Sequence, residues 1–398
     1  MKRVFCVIAT ALLLVVLMAC TGEKVKKIDI ERLTLEDLSK EEGNIYVSKD
    51  EKYSELAEKI KNTVKRKEFP GSLLVATDSR IIFASGTDAL QKDGATVSPD
   101  TGYQIGSVSK TYAATCVLKL IEEGKLSLDD RLEKFLPECE NLKDITIRQL
   151  LHMNTGLADV VNMMEKSFGS RGEEFLNELT AGKVDSERLA DYLKDIVFIF
   201  KPGEKIEYSN TNYLILAIVI EKVTGKSYEE YLRQLIIDPL EMSRTKIGEL
   251  DSVDCAYTVP DLPVLFTNYP ALLKGAGDVT TSVLDMLQFD RALFSGLLIN
   301  QASLDTMFDL KDGYSCGWMQ DNTRSELHSY GNYYWKASDS ETVYHAGNIP
   351  GFMSFNIVLN KNGERMYLIM LFSAENNDRP ETRKAVFGRM NDILKSLS

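Results

Sequence analysis

The chain predicts an α+β domain in which strands from both ends of the sequence enclose a mostly helical middle. Two hairpin-like patterns carry that reading. Toward the N-terminus, the β-rich runs Ser72 to Ala76 and Ile81 to Ala84 flank the turn-forming residues Thr77-Asp78-Ser79-Arg80. Toward the C-terminus, Met353 to Leu359 and the continuous apolar run Met366 to Phe372 flank Asn360-Lys361-Asn362-Gly363-Glu364. Outside each hairpin lies a helical pattern. Tyr53, Leu56, Ile60 and Val64 recur at helical spacing before Phe69-Pro70-Gly71, and Val386, Phe387, Met390, Ile393 and Leu394 share one face after Asp378-Arg379-Pro380. The economical arrangement is one discontinuous domain: an antiparallel sheet, flanked by N- and C-terminal helices, holding a helical lobe over about 110–310.

The first residues stand apart from this pattern. Lys2 and Arg3 precede an apolar stretch from Val4 to Ala19, shorter than the roughly 20 residues of a spanning helix and suited to a signal peptide. It ends in Leu17-Met18-Ala19-Cys20, which resembles the lipobox of bacterial lipoproteins. Residues 1–19 are therefore expected to be a signal peptide, with Cys20 lipidated as the mature N-terminus. Residues 20–50 are densely charged with little apolar periodicity, which suggests a tether. The domain proper is then 51–398.

Composition narrows the function classes. The 398 residues include 47 Lys and Arg against 59 Asp and Glu, a formal net charge of −12, which disfavours a nucleic-acid binder. At 44% hydrophobic and 27% charged, the chain has the balance of an ordinary globular protein. Past Cys6 and Cys20, the cysteines are Cys116, Cys139, Cys255 and Cys316 with no C-x-x-C pair, so buried free thiols are expected. Three scattered histidines without H-E-x-x-H make no case for a metal site, and no cofactor is expected.

The chemistry starts at Ser107-Val108-Ser109-Lys110. Ser243-Arg244-Thr245-Lys246 has the same S-x-x-K spelling, so context must choose between them. Ala113, Cys116, Val117, Leu120 and Ile121 follow Ser107 at helical spacing and end at Gly124, whereas Ser243 opens no apolar helix. At a helix start, residues three apart share a face, which brings the Lys110 amine beside the Ser107 hydroxyl. The positive end of the helix dipole favours an oxyanion formed when serine attacks a carbonyl. To serve as a base near neutral pH, Lys110 must be shifted down from its reference value of about 10.4.

Tyr103-Gln104-Ile105-Gly106-Ser107-Val108-Ser109-Lys110-Thr111 and Glu123 to Asp130 resemble the serine β-lactamase (class C) and penicillin-binding protein family. The likeness continues through Ile145 to Leu151, Thr155-Gly156-Leu157, Lys201-Pro202-Gly203, Gly275-Ala276-Gly277 and Gly347 to Phe352. It implies a β-lactamase/transpeptidase-like α+β fold and a Y-x-N element, which Tyr208-Ser209-Asn210 supplies in the right block order; Tyr330-Gly331-Asn332 is a second match out of order. By this resemblance Tyr208 shares a proton with Lys110 and Asn210 holds a substrate amide. The third family element, K-T-G, reads His345-Ala346-Gly347 here. Gly347 is expected to let substrate backbone approach the strand, and the backbone N–H groups of Asn348 and Ser107 to form the oxyanion hole.

Histidine in place of lysine weakens the expected hold on a β-lactam carboxylate, since imidazole is largely neutral near pH 7. His152 and His328 carry no catalytic expectation. The reading is an exported, membrane-anchored serine hydrolase that forms an acyl-enzyme on Ser107. Its acyl donors are D-alanyl peptides, esters or β-lactams, and no nucleic acid is a partner. The alternative is a non-hydrolytic cell-wall-binding lipoprotein on the same fold.

Overall fold

Met366 to Phe372 is apolar at every position because its strand is covered on both faces. That condition is usual for parallel sheets and is met here in an antiparallel one. The computed structural model describes residues 27–67, 71–87, 97–247, 270–310, 313–320, 342–361, 363–374 and 380–397. Its strands are β1 (Leu38–Glu41), β2 (Ile45–Ser48), β3 (Gly71–Thr77), β4 (Ile81–Thr87), β5 (Tyr103–Gln104) and β6 (Lys246–Ile247), followed by β7 (Val279–Thr281), β8 (Tyr314–Ser315), β9 (Trp318–Met319), β10 (Val343–Ile349), β11 (Gly351–Lys361) and β12 (Glu364–Ala374). Nine of them form one antiparallel sheet in the order β1-β2-β4-β3-β12-β11-β10-β9-β8, and β5-β7-β6 form a small second sheet. The helices that matter most below are α1 (Glu51–Lys67), α2 (Ser109–Glu122), α3 (Asn210–Thr224), α4 (Val283–Phe294) and α5 (Pro380–Leu397).

Strand alternation sorts the large sheet into two faces. Leu73 and Val75 of β3, Phe355 and Ile357 of β11, and Leu368 and Met370 of β12 pack on α1 and α5. These helices present Tyr53, Ala57, Ile60 and Val64, and Val386, Met390, Ile393 and Leu397. The terminal helices also meet each other, with Thr63 Oγ1 and Ser396 Oγ 3.1 Å apart. The intervening residues, Leu74, Ala76, Tyr367, Ile369 and Leu371, face the helical lobe. Register locks the alternation across the central strands: Leu368 pairs with Val75 on one side and Ile357 on the other.

Helix α2 runs through the middle of the lobe. Tyr112, Ala113, Cys116, Val117 and Leu120 are all fully buried, as expected of a helix surrounded by others. Helix α3 ends at Gly225, whose φ of 68° makes the left-handed turn and returns its N–H to the Glu221 carbonyl at 2.9 Å. Cys116, Cys139 and Cys316 are buried free thiols; Cys255 lies outside the described residues.

Residues 27–50 correct the expectation of a tether. They pack on the domain. Ile28, Ile30, Leu33 and Leu35 lie against the lobe core, Ile45 and Val47 are buried under α1, and β2 extends the sheet by pairing with β4. Arg32 reaches the fully buried Asp285 carboxylate at 2.5 Å, and the Glu31 carbonyl accepts from Arg291 Nη1 at 2.6 Å. The charges that suggested a tether are surface residues of a strap. Its few apolar side chains are spaced for extended chain rather than for a helix.

Candidate active site

Ser107 lies where β5 gives way to α2. Gly106 to Val108 make a tight 3-10 turn that continues directly into the helix. The turn requires glycine at 106: its φ is 49°, and a Cβ there would stand 3.1 Å from the backbone nitrogen of Asn348. That contact presses the Ser107 turn against β10. Ser107 is 8% exposed, at the N-terminal end of a helix that begins at Ser109.

Lys110, one turn along, is fully buried. Its Nζ lies 3.2 Å from Ser107 Oγ, 2.8 Å from Asn210 Oδ1 and 2.6 Å from the Ala276 carbonyl oxygen. Burial pulls its pKa down to about 7, against the opposing pull of the Asp159 and Asp278 carboxylates. A neutral amine has two hydrogens and one lone pair. Asn210 Oδ1 and the Ala276 oxygen can only accept, so they take both hydrogens, and the lone pair is left for the Ser107 hydroxyl.

Each of those acceptors is held from behind. Asn210 opens α3, and its Nδ2 faces Asp159, at 2.9 Å from Oδ2 and 3.3 Å from Oδ1. The Ala276 carbonyl belongs to the Gly275-Ala276-Gly277 turn. There Gly275 has a φ of 69° and closes on the Tyr213 carbonyl, while its N–H donates to Asp278 Oδ2 at 3.1 Å. Burial pushes Asp278 up to about 7. Behind Ser107, Ser109 Oγ accepts from the Val279 N–H at 3.0 Å and ties α2 to β7.

Tyr208 and β10 complete the cluster. The Tyr208 ring is 5.0 Å from Lys110 Nζ, 6.1 Å from the Tyr314 ring and 6.3 Å from the His345 ring. His345 is 1% exposed, its ring also 6.3 Å from Tyr314 and its Nδ1 2.8 Å from the Ala346 carbonyl. It is a buried member of an aromatic wall, where the sequence suggested a residue meeting substrate charge. At Gly347 the structure gives a different reason for glycine. A Cβ would fall 1.9 Å from the Ile105 carbonyl, so the missing side chain admits the segment before Ser107. Asn210, expected to hold a substrate amide, here has its carbonyl on Lys110 and its amide nitrogen on Asp159.

All of the predicted domain residues, Ser107, Lys110, Tyr208, Asn210, His345, Gly347 and Asn348, thus converge where α2, α3 and β10 meet; Cys20 lies outside the described residues. The rival spelling separates: Ser243 sits in a turn and Lys246 in β6, so the pair shares no helical face. Tyr330, Asn332 and His328 are outside the described residues. Sequence reasoning missed Asp159, Asp278 and the Ala276 carbonyl. The first two stand two residues beyond Thr155-Gly156-Leu157 and one beyond Gly275-Ala276-Gly277, blocks that were legible without their purpose being so.

Comparison with known proteins agrees with this fold. The family model described as Beta-lactamase matches residues 56–389. The chain is 28% identical over 349 residues to the PbpX protein of Bacillus subtilis (strain 168), covering 85% of this chain and 78% of that one. To a penicillin-binding protein of the same organism it is 26% identical, covering 73% of this chain and 65% of that one, just under two thirds. Among solved structures, the D-amino acid amidase of Ochrobactrum anthropi SV3, complexed with L-phenylalanine, superposes with a TM-score of 0.66 at 22% identity. The match covers 86% of this chain and 98% of that one, a likeness of fold. With most of its length matched by the family model and its terminal helices packed on an antiparallel sheet beside a helical lobe, the chain belongs to the beta-lactamase family of serine hydrolases.

Proposed function

We propose that Ser107 is the nucleophile of an acyl-enzyme cycle, that Lys110 is its base, and that the preferred acyl donors are D-amino acid amides and related esters, ahead of the carboxylate-bearing D-alanyl peptides and β-lactams. The observation that carries this reading is the hydrogen-bond arithmetic at Lys110, whose two acceptor-only partners leave its lone pair toward Ser107 Oγ. At an unperturbed value near 10.4 only about one lysine in 2,500 would be neutral at pH 7. Brought down to about 7 by burial, half is neutral there.

In the proposed cycle Lys110 takes the hydroxyl proton as Ser107 Oγ bonds to the donor carbonyl carbon. The oxyanion is met by the backbone N–H groups of Ser107 and Asn348, at the N-terminal end of the α2 turn. Tyr208, beside the amine, passes a proton to the leaving nitrogen or oxygen as the carbonyl re-forms. Water then cleaves the Ser107 ester to release a carboxylic acid and restore the hydroxyl. His345, enclosed by Tyr208 and Tyr314, offers substrate no exposed charge, which favours donors without a carboxylate to anchor. The structural relative, a D-amino acid amidase, supports the same donor class.

Export as a lipoprotein anchored through Cys20 is part of this proposal. Residues 21–26 lie between that cysteine and Lys27, the first described residue. One experiment tests both parts. A fluorophosphonate added to cells should label Ser107 in the membrane fraction, with no label on Ser107→Ala and loss of membrane retention in Cys20→Ser. Label on another serine would overturn the nucleophile, and unchanged partition of Cys20→Ser would overturn the anchor. Absence of any label, with no turnover of D-amino acid amides, would favour the non-hydrolytic binder.

A further inference from the structure

We propose that Asp159 is a positioning residue for Lys110, acting through Asn210: its carboxylate holds the Asn210 amide in the one orientation that leaves the lysine lone pair aimed at Ser107. The proposal rests on the reading of Ser107 and Lys110 as nucleophile and base.

Asp159 is 7% exposed and comes from the loop after Gly156. Every hydrogen bond it receives at its carboxylate comes from an N–H among the described residues. Oδ1 accepts from the backbone of Val161 at 2.9 Å, and Oδ2 from Asn162 Nδ2 at 2.7 Å and the Asn210 backbone at 3.2 Å, besides the Asn210 amide at 2.9 Å. The two orientations of an asparagine amide are nearly isosteric, and only its neighbours choose between them. A carboxylate accepts and never donates, so Asn210 must turn Nδ2 toward Asp159 and Oδ1 toward Lys110.

The reversed amide would be damaging twice over. Its oxygen would face the Asp159 carboxylate, and its N–H would seek the one acceptor a neutral lysine has, the lone pair that Ser107 needs. The orientation of one buried amide therefore decides whether the base points at the nucleophile.

The same carboxylate acts on Lys110 through its charge, which favours the protonated amine against the effect of burial. The other groups around the amine are Asp278 in the turn after Gly277, the Tyr208 ring at 5.0 Å and the Tyr213 ring at 5.8 Å, with His345 of β10 beyond Tyr208. Removing the Asp159 charge must shift the pH at which Lys110 loses its proton downward, a change that loss of packing alone would not produce.

The test is the rate of Ser107 phosphonylation by a fluorophosphonate from pH 5 to 9, in which the Oγ–P bond forms, fluoride leaves and the hydroxyl proton passes to Lys110. This readout needs no knowledge of the natural donor. In wild type the rate should rise through about pH 7. Asp159→Asn keeps one acceptor oxygen and removes the charge. Its midpoint should move down by about half to one pH unit, with a smaller plateau loss than Asp159→Ala. Asp159→Ala frees the amide as well and should lose about tenfold or more at the plateau.

Thermal melting identifies folded variants, and if Asp159→Ala does not fold, the midpoint of Asp159→Asn decides. A folded variant whose midpoint stays with wild type, or an Asp159→Ala with an undiminished plateau, overturns the proposal. A wild type that does not react at Ser107 would overturn the functional reading instead.

Discussion

The two faces of the large sheet bury apolar surface in the same way but treat charge in opposite ways. Against α1 and α5, Leu73, Val75, Ile357, Leu368 and Met370 meet a closed apolar core, and its buried polar contact is the hydroxyl pair Thr63 and Ser396. Against the lobe lie Lys110, Asp159, Asp278, Asp285, Asp290 and Arg291, the buried charged side chains among the described residues. Burying such groups costs free energy unless each is hydrogen-bonded, paired or neutralised, and the lobe uses all three devices. Asp285 is paired with Arg32 and also accepts from the Arg244 N–H at 2.7 Å and from Thr245 Oγ1 at 3.0 Å. Lys110 approaches neutrality, and Asp290 is pushed by burial up to about 8, its Oδ1 accepting from Asn356 Nδ2 at 3.0 Å. Both faces bury an apolar core, and the lobe face also holds reactive groups whose protonation is shifted by burial.

The sharpest way to separate the faces is Lys110→Met, which fills similar space without a base. Phosphonylation of Ser107 should fall by about 10²- to 10⁴-fold, while the melting transition stays cooperative. A loss of less than tenfold would remove Lys110 from the proton transfer. On the opposite face, Leu368→Ala should cost about 2–5 kcal/mol of stability in denaturant titration. It should leave the pH midpoint of phosphonylation at that of wild type; a moved midpoint would mean that the faces are coupled.

Asp290→Asn tests charge on the lobe face away from the reaction, with a smaller effect. The native carboxyl keeps its proton up to about pH 8, whereas the unfolded one loses it near 3.9. Between those values the native state binds more protons, so this group's contribution to stability falls as pH rises and is lost by about pH 8. The asparagine variant should match wild type near pH 4 and gain over it steadily up to pH 8 in melting temperature. A difference that does not change with pH would mean that Asp290 is already ionised in the folded protein.

Much of the helix-pair face is legible in the sequence. The spacing of Tyr53, Ile60 and Val64 and the C-terminal stripe from Val386 report a helical period and appear as α1 and α5, and the unbroken apolar run Met366 to Phe372 appears as β12, covered on both faces. Ser107 at a helix start is legible for the same reason, since the apolar pattern of α2 follows it. The strap over residues 27–50 is not. Its buried positions, Leu38, Ile45 and Val47, and its partly buried ones, Ile28 and Leu35, are scattered among many charges, and what covers them is chain distant in sequence. Lys110 illustrates the same limit within the site: its partner Asn210 is 100 residues away, and the Ala276 carbonyl 166. A carbonyl oxygen also leaves no mark on residue identity.

The sequence by itself determined the element types, the two hairpins, the helix behind Ser107 and the set of side chains able to do serine chemistry. These depend on periodicity, turn residues and functional groups, all of which are local. Only the tertiary structure decided that Lys110 is desolvated and has its lone pair directed, that Asp159 stands behind Asn210, and that Gly347 makes room for Ile105. It also decided that His345 is enclosed by Tyr208 and Tyr314. A protonation state and an amide orientation are set by what surrounds a group, and those surroundings come from helices and strands that meet only when the chain has folded.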